Sequence, residues 1–555
     1  MAVPLLAIGP RTADAGGRTQ PPCSTPLLNI DVSRLPYDVV LAVVVQMMAD
    51  MRSLVEDWHT LLPLLAVCSR WRRICAPKVY SQGFVDGRSL GASGPRSCCY
   101  SNLELCASLR YMRHLRSLRF ETGPTRATLV YLAQIEARHQ RADWSRIRSL
   151  TLCQFGHRPQ AMLGIDRAMA RELSDFITKR MPRISTIEAL IVDGHPSKDS
   201  IGSRLVSHYA HRLTNITSLV PLVVDNACFT KLTHLQLHLG GTTRLPLAFR
   251  DTLRQLTLSN VPHDLRWDQL IDNAGDGHIE FSSLEHLCIS YQNSDDDRGG
   301  LSEEHRLQPA APVTLYFPVL EKLQLAWCTF RCQILGSAVL PSKMKRVYVH
   351  STSSVLPRLM SYDKMQIGSL TVDMETGSAD DPQLFLESSN QLFGSHSPAK
   401  KARMVITELP EAVDIRSVAW THLSSLTIRF HLGVTQLFAL LCQLPHLQEL
   451  GVLALDLVQL DLKAAQKAAG RFPRETLRSA AIYPADMAYS RKQYLAFLGF
   501  FATVHSGLRR LRVSRSAVSY ARALRLISGK RHPHLARLRV EWPSRRTPFT
   551  PHWLV

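Results

Sequence analysis

A chain of 555 residues, 45% hydrophobic and 20% charged, has the composition of a folded protein with enough apolar material for a sizeable core, which excludes wholesale disorder. No stretch approaches the roughly 18 consecutive apolar residues that a bilayer-spanning helix needs, so no membrane association is predicted. The formal charge of +20 is uneven: residues 501–555 carry twelve Arg or Lys against the single acid Glu541.

The twelve cysteines are scattered, and several, such as Cys68, Cys288 and Cys442, sit inside apolar runs where a free thiol behaves as a small hydrophobe. Neither Cys98-Cys99 with Cys106 nor Cys328 with Cys332 has the paired spacing of a metal site or a disulfide framework. An intracellular protein, cytoplasmic or nuclear, with no metal and no cofactor is the expectation.

Residues 1–28 read as a disordered tail, because the short apolar run in MAVPLLAIGPRTADAGGR has no basic residue before it and makes a poor secretory signal. Residues 29–82 read as a small all-α module. Leu35-Pro36 opens it, with Pro suited to a helix start where a backbone donor is not needed. An apolar helix follows from Val39 to about Met48. After a polar linker over 49–60, Leu61 to Leu65 leads into Ala66–Cys75, whose Val67, Cys68, Trp71 and Ile74 or Cys75 fall along one helical side.

At Leu35-Pro36 and at Val67-Cys68 followed by Trp71-Arg72-Arg73, the module resembles an F-box, a family that opens on Leu-Pro and closes on Val-Cys, two residues, Trp and a basic pair. The match spans about 46 residues; the 49–60 segment is longer and more polar than the family pattern, and Tyr37 stands where an acid is usual. The resemblance implies docking on the small Skp-type adaptor of a cullin-RING ubiquitin ligase, with Leu35, Pro36, Val40, Val44, Leu65, Cys68 and Trp71 as the contact or supporting residues of the partner-binding face. The other reading of the same residues is a cap that closes a repeat array.

Residues 83–102 read as a linker. Gly87-Arg88-Ser89-Leu90-Gly91 has the spacing of a nucleophile elbow, but it lies in the Gly/Ser/Pro-rich stretch DGRSLGASGPRS rather than between a buried strand and a helix. No catalytic residue is assigned, and the chain is read as a non-enzyme.

From 103 to 545 one unit, apolar-x-x-apolar-x-apolar, recurs. It starts at Leu115, Ile147, Ile187, Leu232, Leu253, Leu284, Leu320, Met344, Ile367, Leu423, Leu447, Leu508 and Leu535, with a degraded copy from Leu477 to Ile482. The last two apolar positions alternate as in a short strand and the first sits on the turn leading in. Helical periodicity in several intervening segments (170–181, 434–444, 519–530), two of them followed by Pro445 or Pro533, supplies the returns. The fold class predicted is α/β: stacked parallel strands plus helices, each unit burying its apolar edge against the next. The units resemble irregular leucine-rich repeats. The family's Asn or Cys three residues beyond the last strand leucine is present only as Cys328; Phe155, Gln292 and Gly240 stand there elsewhere.

Two polar insertions, 291–312 and 374–411, read as loops on the rim of the array, and 546–555 as a tail. Asp295-Asp296-Asp297 lacks the spaced ligands of a calcium loop, and Lys400-Lys401-Ala402-Arg403 is a weak nuclear-import candidate. His350, His422 and His446 lie near strand units without paired-ligand spacing. The two resemblances together imply a substrate receptor: the module recruits the ligase and the repeats hold a protein substrate. Arg509, Arg510, Arg512, Arg537 and Arg539 are the candidates for reading an acidic or phosphorylated segment of it. The alternative is a non-catalytic scaffold or nucleic-acid-associated repeat protein, in which the basic residues meet phosphates and the module is only a cap.

Overall fold

The computed structural model describes residues 35–541 except 51–57, 87–100, 123–125, 140–141, 155–166, 192–200, 220–228, 240–248, 263–264, 266–269, 272–277, 293–313, 329–337, 352–364, 376–381, 395–396, 398, 409–416, 458–474, 486–490 and 515–536. Both predicted tails, the Gly87–Gly91 motif, Asp295–Asp297, Leu535 and the helix expected over 519–530 lie outside the described residues. The chain divides into two compact units, Met1–Val79 and Tyr80–Val555.

In the first unit a helix over Tyr37–Asp50 packs against a helix over Ser69–Val79, joined through the short helical turns Trp58–Leu61 and Leu62–Ala66. Pro36 lies one residue before the first helix, not at its first position as expected, and its carbonyl accepts the N–H of Val40 at 3.1 Å. The expected single helix through Ala66–Cys75 is instead broken at Val67-Cys68. Cys68 caps the following helix, its carbonyl accepting from Arg72 N–H at 3.0 Å and its sulfur from Trp71 N–H at 3.4 Å.

Among the described residues, the second unit is an α/β structure built on an eighteen-stranded sheet. Its strands, in chain order, are β1 (82–86), β2 (117–122), β3 (149–154), β4 (186–191), β5 (215–218), β6 (234–238), β7 (255–261), β9 (286–291), β11 (322–328), β13 (343–351), β14 (366–375), β15 (402–408), β16 (423–428), β18 (449–456), β19 (479–484), β20 (510–513) and β21 (539–541), with the two-residue β17 (432–433) beside β18. Each strand pairs in parallel with the next strand of this sequence, from β1–β2 to β20–β21. Three further strands, β8 (278–280), β10 (314–316) and β12 (338–339), form a separate parallel sheet within the returns of the middle units.

The register explains the apolar pattern. Phe120 pairs with Leu152, Leu258 with Ile289, Ile289 with Leu325, Val349 with Val372, and Leu426 with Leu450, so one row of buried side chains crosses the strands. Helices over Arg126–Arg138, Arg167–Arg180 and Ile201–Tyr209 form returns early in the unit, and Pro382–Phe393, Val434–Cys442 and Arg491–Val504 do so later. In the middle the returns carry the short strands instead, with Phe281 stacked on Phe317 at 5.5 Å.

Several sequence expectations are corrected here. The linker read over 83–102 contains most of β1, which pairs Gly83 with Leu118 and Val85 with Phe120, so the sheet starts before residue 103 and the helical unit ends at Val79 rather than 82. The insertion read as a loop over 374–411 holds the helix Pro382–Phe393 and β15, which bridges β14 and β16. A strand at Asn215–Ser218 had no counterpart in the repeat reading. The unit placed at Ile187/Leu190/Val192 is displaced by three: the buried set is Ile184, Ile187 and Ala189.

Candidate partner-binding surfaces

The helical unit places its candidates on both sides of its own core. Val40 and Val44 are buried, as are Trp71, Cys75, Trp58 and Leu61. Trp58 Nε1 donates to the Val79 carbonyl at 3.3 Å, tying the turn to the end of the last helix. Burial pushes the Cys75 thiol above its ordinary range, with the nearby Cys68 adding to the effect, so Cys75 stays a neutral thiol. Val40, Val44 and Trp71 therefore stand in the core of the unit, where they fill the supporting role that the resemblance allows beside direct contact. Leu35, Leu65 and Cys68 are half-buried and Pro36 is exposed.

Among the described residues of this unit, the large apolar side chains open to solvent are Tyr37 (54% exposed), Val39 (43%), Val43 (36%), Val45 (44%) and Val67 (39%). Val39 and Val43 are one helical turn apart and share a face. A run of adjacent valines hides this choice from sequence: Val39-Val40 and Val43-Val44-Val45 offer the same residue to either side, and only the packing of this helix against the helix over Ser69–Val79 selects Val40 and Val44. Trp58, within the segment read as a polar linker, was the residue missed; a Trp in an otherwise polar stretch was its signal.

The basic residues near residue 541 divide in a similar way. Arg509 and Arg537 are exposed on the turns leading into β20 and β21, whereas Arg510, Arg512 and Arg539 alternate with buried Leu511, Val513 and Val540 and so share the outward face of the sheet. All three converge on one carboxylate. Arg539 Nε lies 2.7 Å from Glu541 Oε1, Arg512 Nε donates to Oε2 at 3.4 Å, and Arg510 Nε is 4.0 Å from Oε1.

The repeat motif alone aligns Leu511 with Leu538 and would set Arg510 opposite Arg537 and Arg512 opposite Arg539. The observed register slips by two, pairing Leu511 with Val540, Arg510 with Arg539 and Arg512 with Glu541. A two-residue slip preserves which side chains face inward, and it replaces one of two like-charge cross-strand pairs by an opposite-charge pair, each worth a few tenths of a kcal/mol to about 1 kcal/mol.

Among the described residues, no group of three or more His, Cys, Asp or Glu side chains is arranged to hold a metal ion, and no helix is long and apolar enough to cross a membrane. His422 and His446 lie with ring centroids 6.4 Å apart, and His350 Nδ1 is 3.8 Å from Asp373 Oδ2. Arg403 and Ala402 of the Lys400–Arg403 cluster lie in β15. The sequence matches no known family description, and no curated protein resembles it at a significant level.

Proposed function

We propose that this chain is a substrate-recognition adaptor of a cullin-RING ubiquitin ligase, in which the unit containing residues 35–79 is an F-box docking on the Skp-type adaptor and the stacked strands, read as leucine-rich repeats, hold a protein substrate. The observation that carries the reading is the pairing of the Leu35-Pro36 and Val67-Cys68 to Trp71 motifs with a separate compact helical unit whose Val39 and Val43 remain open to solvent. Apolar anchors on one face of a helix are the usual source of affinity in helix docking. The receptor does no chemistry of its own; it raises the effective concentration of a substrate lysine near the conjugating enzyme. Such a protein works inside the cell, in cytoplasm or nucleus.

The test is co-purification of the full chain with the Skp-type adaptor. The double substitution Val39→Glu, Val43→Glu is expected to abolish the complex while leaving the helical content of the free chain unchanged. Retention of the adaptor by that variant would remove the reading.

The net charge of +20 favours a second reading, a nucleic-acid-associated scaffold. It predicts binding to generic DNA or RNA that collapses steeply between low and physiological salt, with no effect of the Val39/Val43 pair.

A further inference from the structure

The cluster on β20 and β21 is out of balance. A carboxylate has about four acceptor sites and one negative charge, while three guanidinium groups bring about fifteen donors and three positive charges. Arg510, Arg512 and Arg539 thus keep a local excess of two positive charges after pairing with Glu541, and their side chains are 48%, 40% and 74% exposed. The turns leading in add Arg478, Arg509 and Arg537 to the same field.

Among the described residues, the excess on the sheet face does not extend toward β19 and β18. Following the register back from Arg510 leads to Ser479 and then Glu449, and from Arg512 to Ala481 and then Gly451. No cation continues the face on β19 or β18. Adjacent strands lie about 4.8 Å apart, so the three guanidinium groups span the footprint of one compact anion. A nucleic-acid track needs cations repeated at many phosphates, and among the described residues β19 and β18 do not supply them.

We propose that Arg510, Arg512 and Arg539 form a receptor for a single dianionic group, the phosphate of a phosphorylated serine or threonine on a bound protein segment, with Glu541 as the resident carboxylate that the phosphate displaces. The inference rests on the reading that the sheet binds a protein substrate. Arginine is suited to the task because its planar fork meets phosphate oxygens in pairs. The arginines are 40% or more exposed while the Glu541 side chain is 25% exposed, so each partly screened pair that a phosphate replaces contributes on the order of 1 kcal/mol. A phosphate dianion neutralises the excess that one carboxylate leaves.

The experiment uses the full chain and three fluorescent probes: a short Gly/Ser peptide bearing one phosphoserine, its unphosphorylated twin, and a short single-stranded DNA, each followed by anisotropy. The phosphopeptide is expected to bind and the twin not. Arg512→Ala with Arg539→Ala loses affinity about tenfold or more. Arg539→Lys, which keeps the charge and loses the fork, falls between. Glu541→Gln binds up to about fivefold more tightly, because the competing carboxylate is gone. The control Glu321→Gln removes an exposed acid paired with Lys345 far along the sheet and leaves affinity unchanged.

Equal gains from Glu541→Gln and Glu321→Gln, weaker binding by Glu541→Gln, or DNA binding more tightly than the phosphopeptide would each overturn the proposal. Adaptor co-purification is measured on the same variants: its retention with loss of phosphopeptide binding confines a failure to the arginine site, and its absence in the wild type is a failure of the ubiquitin-ligase reading instead.

Discussion

At the scale of single residues, environment decides roles that residue type leaves open. Trp71 fills the core of the helical unit, so Trp71→Ala is expected to destabilise that unit by about 3–5 kcal/mol, read as loss of its helical signal at lower denaturant concentration, whereas exposed Val43→Ala changes stability little. His505 is a second case. It is buried between Phe438 (6.5 Å, nearly parallel) and Phe501 (4.3 Å), and burial pulls its pKa from 6.5 down to about 4. The folded protein holds this imidazole neutral while the unfolded chain protonates it near pH 6.5, so its contribution to stability is intact above pH 6.5 and is lost as pH falls from there to about 4. The loss is on the order of 3 kcal/mol. His505→Leu is expected to flatten that part of the stability profile, measured by denaturation at pH 7 and pH 4.5; an unchanged slope would place the titration elsewhere. Neither environment follows from the local sequence alone, because Trp71 needs the helix over Tyr37–Asp50 and His505 needs Phe438 from another helix, beside its own neighbour Phe501.

At the scale of elements, the strands that sequence reading missed share one feature: small residues stand where the pattern expects a large apolar one. β1 has Gly83 opposite Leu118, β5 has buried Ser218 after Ile216, and β15 has Ala402 opposite Leu370. At Gly83 the reason is visible, since a Cβ there would come within 2.7 Å of a Leu103 methyl and 2.9 Å of a Leu115 methyl. β1 also has no further strand before it among the described residues, and its outer edge is closed by side chains. Asn102 accepts from Phe84 N–H at 3.0 Å and donates to the Gln82 carbonyl at 2.8 Å, and Ser101 donates to the Phe84 carbonyl at 2.9 Å. Such capping removes the open hydrogen-bonding row that makes edge strands associate. Asn102→Ala is expected to cost about 1–3 kcal/mol, because it leaves a buried donor and acceptor unpaired. Asn102→Asp, which keeps the acceptor alone, should raise aggregation less than the alanine variant does in light scattering.

At the scale of the second unit, stability comes from neighbours, since each strand with its return touches chiefly the units beside it. Leu256, buried in β7 between Leu235 and Leu287, tests this. Leu256→Ala is expected to lose about 2–5 kcal/mol, with faster amide exchange spreading through β6, β7 and β9 before it reaches β19 and β20. Uniform acceleration along the whole sheet would instead mean one all-or-none unit.

The sequence by itself determined the α/β class and the places of most strands, because a period-two apolar alternation repeated many times needs no distant information to be read. It also marked the helical unit through Leu35-Pro36 and Trp71. Only the tertiary structure decided which valines face outward, that Gly83, Ile216 and Ala402 belong to strands, and that β21 slips by two residues to set Glu541 among three arginines. The physical reason is the same in each case: these choices are settled by what lies across the strand or helix pair, and a contact between residues distant in the chain leaves no mark on the local pattern.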